Sequence, residues 1–366
     1  MTIARRSVVA LAIAICVCCA SGLRSPAAEP ANPPNIGKPV LLTDALASLS
    51  ATPQLLTMGA AIWLQVNQDP ASYETGVVDV PAMLGFLARQ GVPPWVILDF
   101  EEPFFANLKK PGSDDRKRSL DSMLLALREA KKRYPGVKWG FYGLPNLDFW
   151  VGGKGWAELD AATRAETLAK AEAACQELVA EADWISVSVY DYYDPTMVRP
   201  GSATSLRGTP DLAVRNGIAW RTAAVQLARK LSKGRPVIPM VSPFWAPGGI
   251  APSCHLIPSA DFMSRQIKPC IEAGASGFAI YTGYTYRIAR VTSSEPDPPR
   301  TERSYGQAEW RTAFAADFFG GTSPTDWSAP DVRRRLERDL TNVVLDRLRS
   351  IDAAMLVNQP VPEPQR

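Results

Sequence analysis

Three carboxylates fall within four residues at Asp99, Glu101 and Glu102, interrupted only by Phe100. They follow the short apolar run Trp95, Val96, Ile97 and Leu98 and precede Pro103. A continuous apolar run of that length suits a parallel strand covered on both faces. Side chains alternate along a strand, so Asp99 and Glu101 project from one face while Phe100 and Glu102 take the other. Pro103 cannot donate to a ladder and ends the run, which leaves the acids at the strand's C-terminal end, where a β/α barrel carries its chemistry. Paired carboxylates there can give and take protons; the plainer alternative is that they only cap the helix that follows.

Both acids of the pair point the same way, roughly 7 Å apart along the chain, and so cannot easily attack opposite faces of one substrate ring. Another group would then have to supply the nucleophile. Burial and the neighbouring Asp99 charge would raise the Glu101 pKa, keeping it a proton donor near neutrality.

Apolar runs alternate with amphipathic segments around this strand. Strands are expected over 60–66, 95–100, 137–143, 184–190, 236–241 and 277–282, and helices over 80–90, 156–182 and 211–233, from Ser259 to Gly274, and over 329–355. A further helix, capped by Ser113, runs to Pro135-Gly136. Regular alternation implies a parallel sheet. The length of 366 residues favours a closed, distorted (β/α) TIM-like barrel of seven or eight strands, with a C-terminal helix. A doubly wound sheet is the alternative, but no glycine-rich turn follows the first strand.

The expected strand ends are rich in rings and acids: Tyr142 and Asp148, then Tyr190 and Asp191, then Trp245, then Tyr281. Rings stack on the apolar faces of sugars while carboxylates and phenols bond their hydroxyls, which suits a carbohydrate cleft.

Composition is that of ordinary globular material, with 46% hydrophobic and 21% charged residues and a net charge of +3 that gives no argument for nucleic acid. Arg5 and Arg6 before the apolar run from Val8 to Ala20 read as a signal peptide over 1–28, implying a secreted or periplasmic protein; a lipid anchor through Cys16, Cys18 or Cys19 is the alternative. Residues 29–42 form a proline-rich leader, 43–356 one catalytic domain and 357–366 a flexible tail. Cys254 and Cys270 are close enough to pair after export, whereas Cys175 reads as a buried thiol. The single histidine, His255, and the lack of Cys-x-x-Cys give no metal-ligand spacing, and no cofactor is expected.

Taken in order, DFEE at 99–102, WGFY at 139–142 with Pro145, Ser188-x-Tyr190, the Pro236 to Pro239 segment with the aromatics after it, and GASGFAIY ending at Tyr281 resemble the hyaluronidase family of glycoside hydrolases (family 56, the bee-venom and mammalian type). The resemblance covers Trp95 to Tyr281. It implies a distorted β/α barrel and substrate-assisted retaining hydrolysis at an N-acetylhexosamine. It further implies Glu101 as general acid and base, Asp99 as the group orienting the acetamido nitrogen, and Tyr190 as a residue that positions the acetamido group. Tyr281 falls where the family usually has a tryptophan, and Asp148 where it has a second active-site tyrosine. The family's cysteine in that segment, and the arginine and proline after the acids, are missing here. A polyanionic glycan would need a cationic groove, for which Arg199, Arg207, Arg287 and Arg290 are the candidates. The expected partner is an oligo- or polysaccharide, met by a monomer without nucleic acid or membrane; a non-catalytic carbohydrate-binding barrel is the competing class.

Overall fold

The computed structural model describes residues 40–43, 60–67, 70–191, 210–245, 255–294 and 307–357. In chain order the first half runs β1 (Val40–Thr43), β2 (Ala60–Asn67), α1 (Pro70–Thr75), α2 (Val80–Gln90), β3 (Trp95–Asp99), α3 (Phe104–Leu108), α4 (Asp114–Arg133) and β4 (Lys138–Phe141). Then come a hairpin of β5 (Trp150–Val151) and β6 (Lys154–Gly155), α5 (Ala161–Glu181), α6 (Pro210–Ser232) and β7 (Met240–Val241). A π-turn, Phe262–Ile267, leads into α7 (Lys268–Glu272), followed by β8 (Gly277–Ile280), α8 (Tyr284–Thr292), α9 (Gln307–Phe319) and α10 (Pro330–Val357).

Six strands form one sheet in the order β4-β3-β2-β1-β8-β7, and every pairing in it is parallel. Beyond its two edges, single parallel bridges join Tyr142 to Ser186, Ile185 to Val237 and Ser188 to Met240. Residues 184–190 were expected to be a strand and instead make isolated bridges. Each side of the segment nevertheless finds backbone partners, as Val189 N–H donates to Met240 O at 3.0 Å and Asp183 N–H to Trp139 O at 2.8 Å.

Alternate residues of the strands separate into two apolar layers. Trp95 and Ile97 of β3 pack with Trp184, Tyr190, Ile238 and Met240 on one face. Val96 and Leu98 join the larger cluster formed with the helices, which also takes Leu120, Leu127, Leu178 and Val225. Two-sided burial explains the unbroken apolar run that marked β3 in the sequence. Gly140 in β4 is set by the inner face: a Cβ there would lie 2.7 Å from the Trp184 ring.

Helix ends follow their signals. Ser113 accepts the Arg116 N–H and starts α4, and Asp160 accepts the Thr163 N–H and starts α5, so the helix expected from residue 156 begins at Ala161. One boundary is corrected. The leader expected over 29–42 gives up Val40 to β1, which pairs with β2 and β8. Its proline-rich flank concealed a strand that lies so close to β8 that a Cβ on Gly277 would sit 2.0 Å from Val40 O. Cys270 is a buried free thiol, and so is Cys175; Cys254 lies outside the described residues.

Candidate active site

β3 ends at Asp99, earlier than the proline alone would require, so Asp99 is the last strand residue and Glu101 stands in the loop beyond it. Pro103 becomes the N-cap of α3, and Glu102 caps the same short helix by accepting the Ala106 N–H at 3.2 Å. Phe100 turns the opposite way from Asp99 and packs on Phe104 and Phe141, at 5.6 and 6.4 Å between ring centres. The predicted alternation holds as far as Phe100, which anchors the loop in the outer core; beyond the strand it breaks down, since Glu101 lines a cavity together with Glu102, which was expected on the opposite face.

Asp99 is 9% exposed. Gln65 on β2 donates to its Oδ2 at 2.5 Å and to Asn67 Oδ1 at 3.0 Å, and the β2–β3 register sets Asn67 directly beside Asp99. Its Oδ1 is buried without a hydrogen-bond partner. Burial, then the Glu101 charge, push the Asp99 pKa up to about 8, against the lowering effect of the Gln65 bond. Glu101 opens to solvent at the rim. Its pKa is also raised, first by the protein packed around its carboxyl and then by Glu102. Both acids are thus biased towards their protonated forms, and the Glu101 charge bears on Asp99.

Tyr73 on α1 belongs to this group although nothing in the sequence drew attention to it. Its phenol pKa is raised by burial and then by the charges of Asp99 and Glu101, and its ring is 47% exposed at the mouth. Gln65 was likewise missed. Its only sequence signal is position, two residues before the end of the strand next to β3.

The other expected residues divide. Tyr142, Tyr190 and Tyr281 come together: Tyr190 lies 5.9 Å from Tyr281, nearly parallel at 24°, and 6.4 Å from Tyr142. All three pack on the inner cluster that holds Trp95 and Ile97, and the Tyr142 hydroxyl donates to Ser188 Oγ at 3.1 Å. Asp148 reaches the site's edge, where Lys109 Nζ pairs with it at 2.7 Å. Asp191 is corrected to a structural role. It is buried in an ion pair with Arg221 at 2.6 Å, and Arg221 also donates to Val189 O and Tyr190 O. Trp245 is corrected as well, since it is buried in the outer core with the Arg265 guanidinium 5.6 Å from its ring centre. Arg287 leaves the proposed cationic groove, because it is buried between the rings of Phe244 and Trp310, at 4.1 and 4.8 Å. Arg199 and Arg207 lie outside the described residues.

A cavity of about 340 Å³ opens beside the acids. Phe105, Tyr142, Phe149 and Trp220 form its apolar wall, and Glu101, Glu102 and Asp148 supply its carboxylates. Asn146 and Ser188 add neutral hydrogen-bonding groups. Its volume falls at the lower end of the range for small-molecule sites. Among the described residues no group of His, Cys, Asp and Glu could hold a metal ion, and no helix is long and apolar enough to cross a membrane.

No family model matches the chain, and no curated protein does. Among solved structures, the chain is similar to bee venom hyaluronidase in complex with a hyaluronic acid tetramer, at 15% identity over 60% of this chain and 78% of that one, with a TM-score of 0.39. A second structure of bee venom hyaluronidase covers 73% of this chain and 77% of its own at 15% identity, TM-score 0.40. A GH18 chitinase from Pseudoalteromonas aurantia follows at 14% identity over 64% and 73%, TM-score 0.33.

Proposed function

We propose that the protein is a retaining glycoside hydrolase that cleaves N-acetylhexosaminide bonds by substrate-assisted catalysis. The observation that carries the reading is the acid pair: two carboxylates with raised pKa values on one side of a cleft, one buried and fixed by Gln65, the other at the rim beside a cavity. A binding site has no need of carboxyls biased towards their protonated forms beside a cleft, whereas glycoside hydrolysis needs one that can give a proton to the departing oxygen. In the first step the acetamido carbonyl oxygen forms a bond to C1, the bond from C1 to the glycosidic oxygen breaks, and Glu101 gives its proton to the departing oxygen. Asp99 accepts the acetamido N–H, which gains positive character as the cyclic intermediate forms. Water then adds to C1, passes a proton to the Glu101 carboxylate and reopens the ring with net retention. Tyr190, held between Tyr142 and Tyr281, would provide a wall for the acetamido group.

The scaffold we propose is a closed β/α barrel, in which the bridges through residues 184–190 join β4 to β7 and complete the ring. We further propose export through a signal peptide over 1–28, which sequencing the N-terminus of the mature protein tests. The enzyme reading is tested by reducing-end release from hyaluronan, chondroitin and chitin oligomers. The expected result is release by the wild type and a loss of at least about a hundredfold in Glu101→Gln, the scale of a general acid. Glycan binding with no release from any substrate would instead identify a carbohydrate-binding barrel.

A further inference from the structure

The cavity lies to one side of the acid pair: Glu101 and Glu102 line it, and Asp99 does not. On the reading above, Asp99 faces the acetamido group of the sugar being cleaved, and Glu101 faces the oxygen that leaves. The space beyond Glu101 is then where the departing portion of the glycan sits. Its walls suit a pyranose, with Trp220, Phe149 and Phe105 as apolar surfaces and Asn146 and Ser188 to bond hydroxyls.

The charge of this space is one-sided. Its acidic and basic lining residues among those described are Glu101, Glu102 and Asp148, all carboxylates. Lys109, at its edge, is paired with Asp148 at 2.7 Å. Arg287, a candidate for binding a polyanion, is stacked in the core between Phe244 and Trp310. A uronate placed here would meet like charge in a partly desolvated site, which costs affinity and opposes proton release from Glu101.

We propose that this cavity is the leaving-group subsite and that it accepts an uncharged sugar residue, so that the enzyme acts on a neutral N-acetylhexosamine-containing glycan rather than a uronate-bearing one. The proposal rests on Glu101 being the proton donor. Hyaluronan and hyaluronan whose carboxyl groups have been reduced to primary alcohols differ only in this charge, and an aryl N-acetylhexosaminide reports the chemistry without a leaving-group sugar. Oligomers of both polymers are also titrated calorimetrically into Glu101→Gln, where binding is separated from turnover.

The expected result is a kcat/KM at least tenfold higher on the reduced polymer, with tighter binding of its oligomers. Glu102→Gln keeps an oxygen to cap α3 while removing one of the cavity's negative charges, and should narrow the preference several-fold. Equal or better cleavage or binding of native hyaluronan overturns the proposal. If the aryl glycoside and both polymers were left intact, the glycosidase reading and the leaving-group assignment would fail together; tighter binding of the neutral oligomer would then uphold only the cavity's preference for an uncharged sugar, and tighter binding of the anionic one would overturn that as well.

Discussion

Gln65 is the residue on which the acid pair depends most directly. Its Nε2 donates to Asp99 Oδ2 and Asn67 Oδ1 together, fixing the carboxylate's orientation and favouring its ionised form. Gln65→Leu removes that support, so Asp99 should ionise at higher pH and the acid limb of the kcat/KM profile should move upward. Activity at pH 5 should fall roughly tenfold, the scale of one hydrogen bond to a charged group; a uniform loss at all pH values would mark Gln65 as merely structural. Asp99 also ties stability to pH. Its pKa rises on folding from 3.8 to about 8, so the folded protein holds a proton that the unfolded chain releases between those values. The stability this lends is complete below about pH 4 and is lost as pH rises towards 8. Asp99→Asn should therefore gain in melting temperature over the wild type as pH rises from 4 to 8; parallel curves for the two proteins would contradict this. The acid pair was legible because an abrupt change from apolar to acidic residues is a local pattern. Gln65 and Tyr73 were not, because they reach the site through strand pairing and a helix after β2, and nothing local distinguishes them from other polar or aromatic surface residues.

Among the elements, the long amphipathic helices could be read closely. The expected start and stop of α2 are its observed ends, and α4 begins after Ser113, whose hydroxyl accepts the Arg116 N–H at 3.1 Å while donating to Lys110 O at 2.9 Å. Short elements escaped: β1, α1, α3 and the β5–β6 hairpin each span eight residues or fewer, and too few residues repeat to establish a period. The 184–190 segment failed in the other direction. Its apolar pattern is strand-like, yet the Trp184 ring fills the space beside Gly140 and the segment pairs only at single residues. Gly140→Ala puts a methyl group within 2.7 Å of that ring. Neither the β4 backbone nor a fully buried tryptophan can withdraw easily, so the substitution should cost about 1–3 kcal/mol, measured by denaturant unfolding. An unchanged midpoint would mean that Trp184 has another place to go.

Over the whole molecule, distant segments are tied by buried cations. Arg221 of α6 pairs with Asp191 and donates to Val189 O, Tyr190 O and Arg265 O, drawing together α6, the end of the 184–190 segment and the π-turn. Asp191→Ala would leave that guanidinium buried without its counter-charge and should cost about 3–5 kcal/mol. Because Arg221 also holds Tyr190 O, binding of an N-acetylhexosamine oligomer should weaken in the same variant, as titration calorimetry would show. The C-terminal helix joins in a similar way: α10 packs against β1, β8 and the π-turn, and its Arg347 donates to Ile257 O at 2.7 Å. β1 is thus completed by elements far along the chain, with Val40 paired to Gly277 and β1 in contact with α10. On the ribosome, the chain must extend past Ile280 before β1 can find both its neighbours, β2 and β8. The sheet is joined there by contacts of long sequence separation, so until β8 is made β1 is an open strand edge for a chaperone to shield.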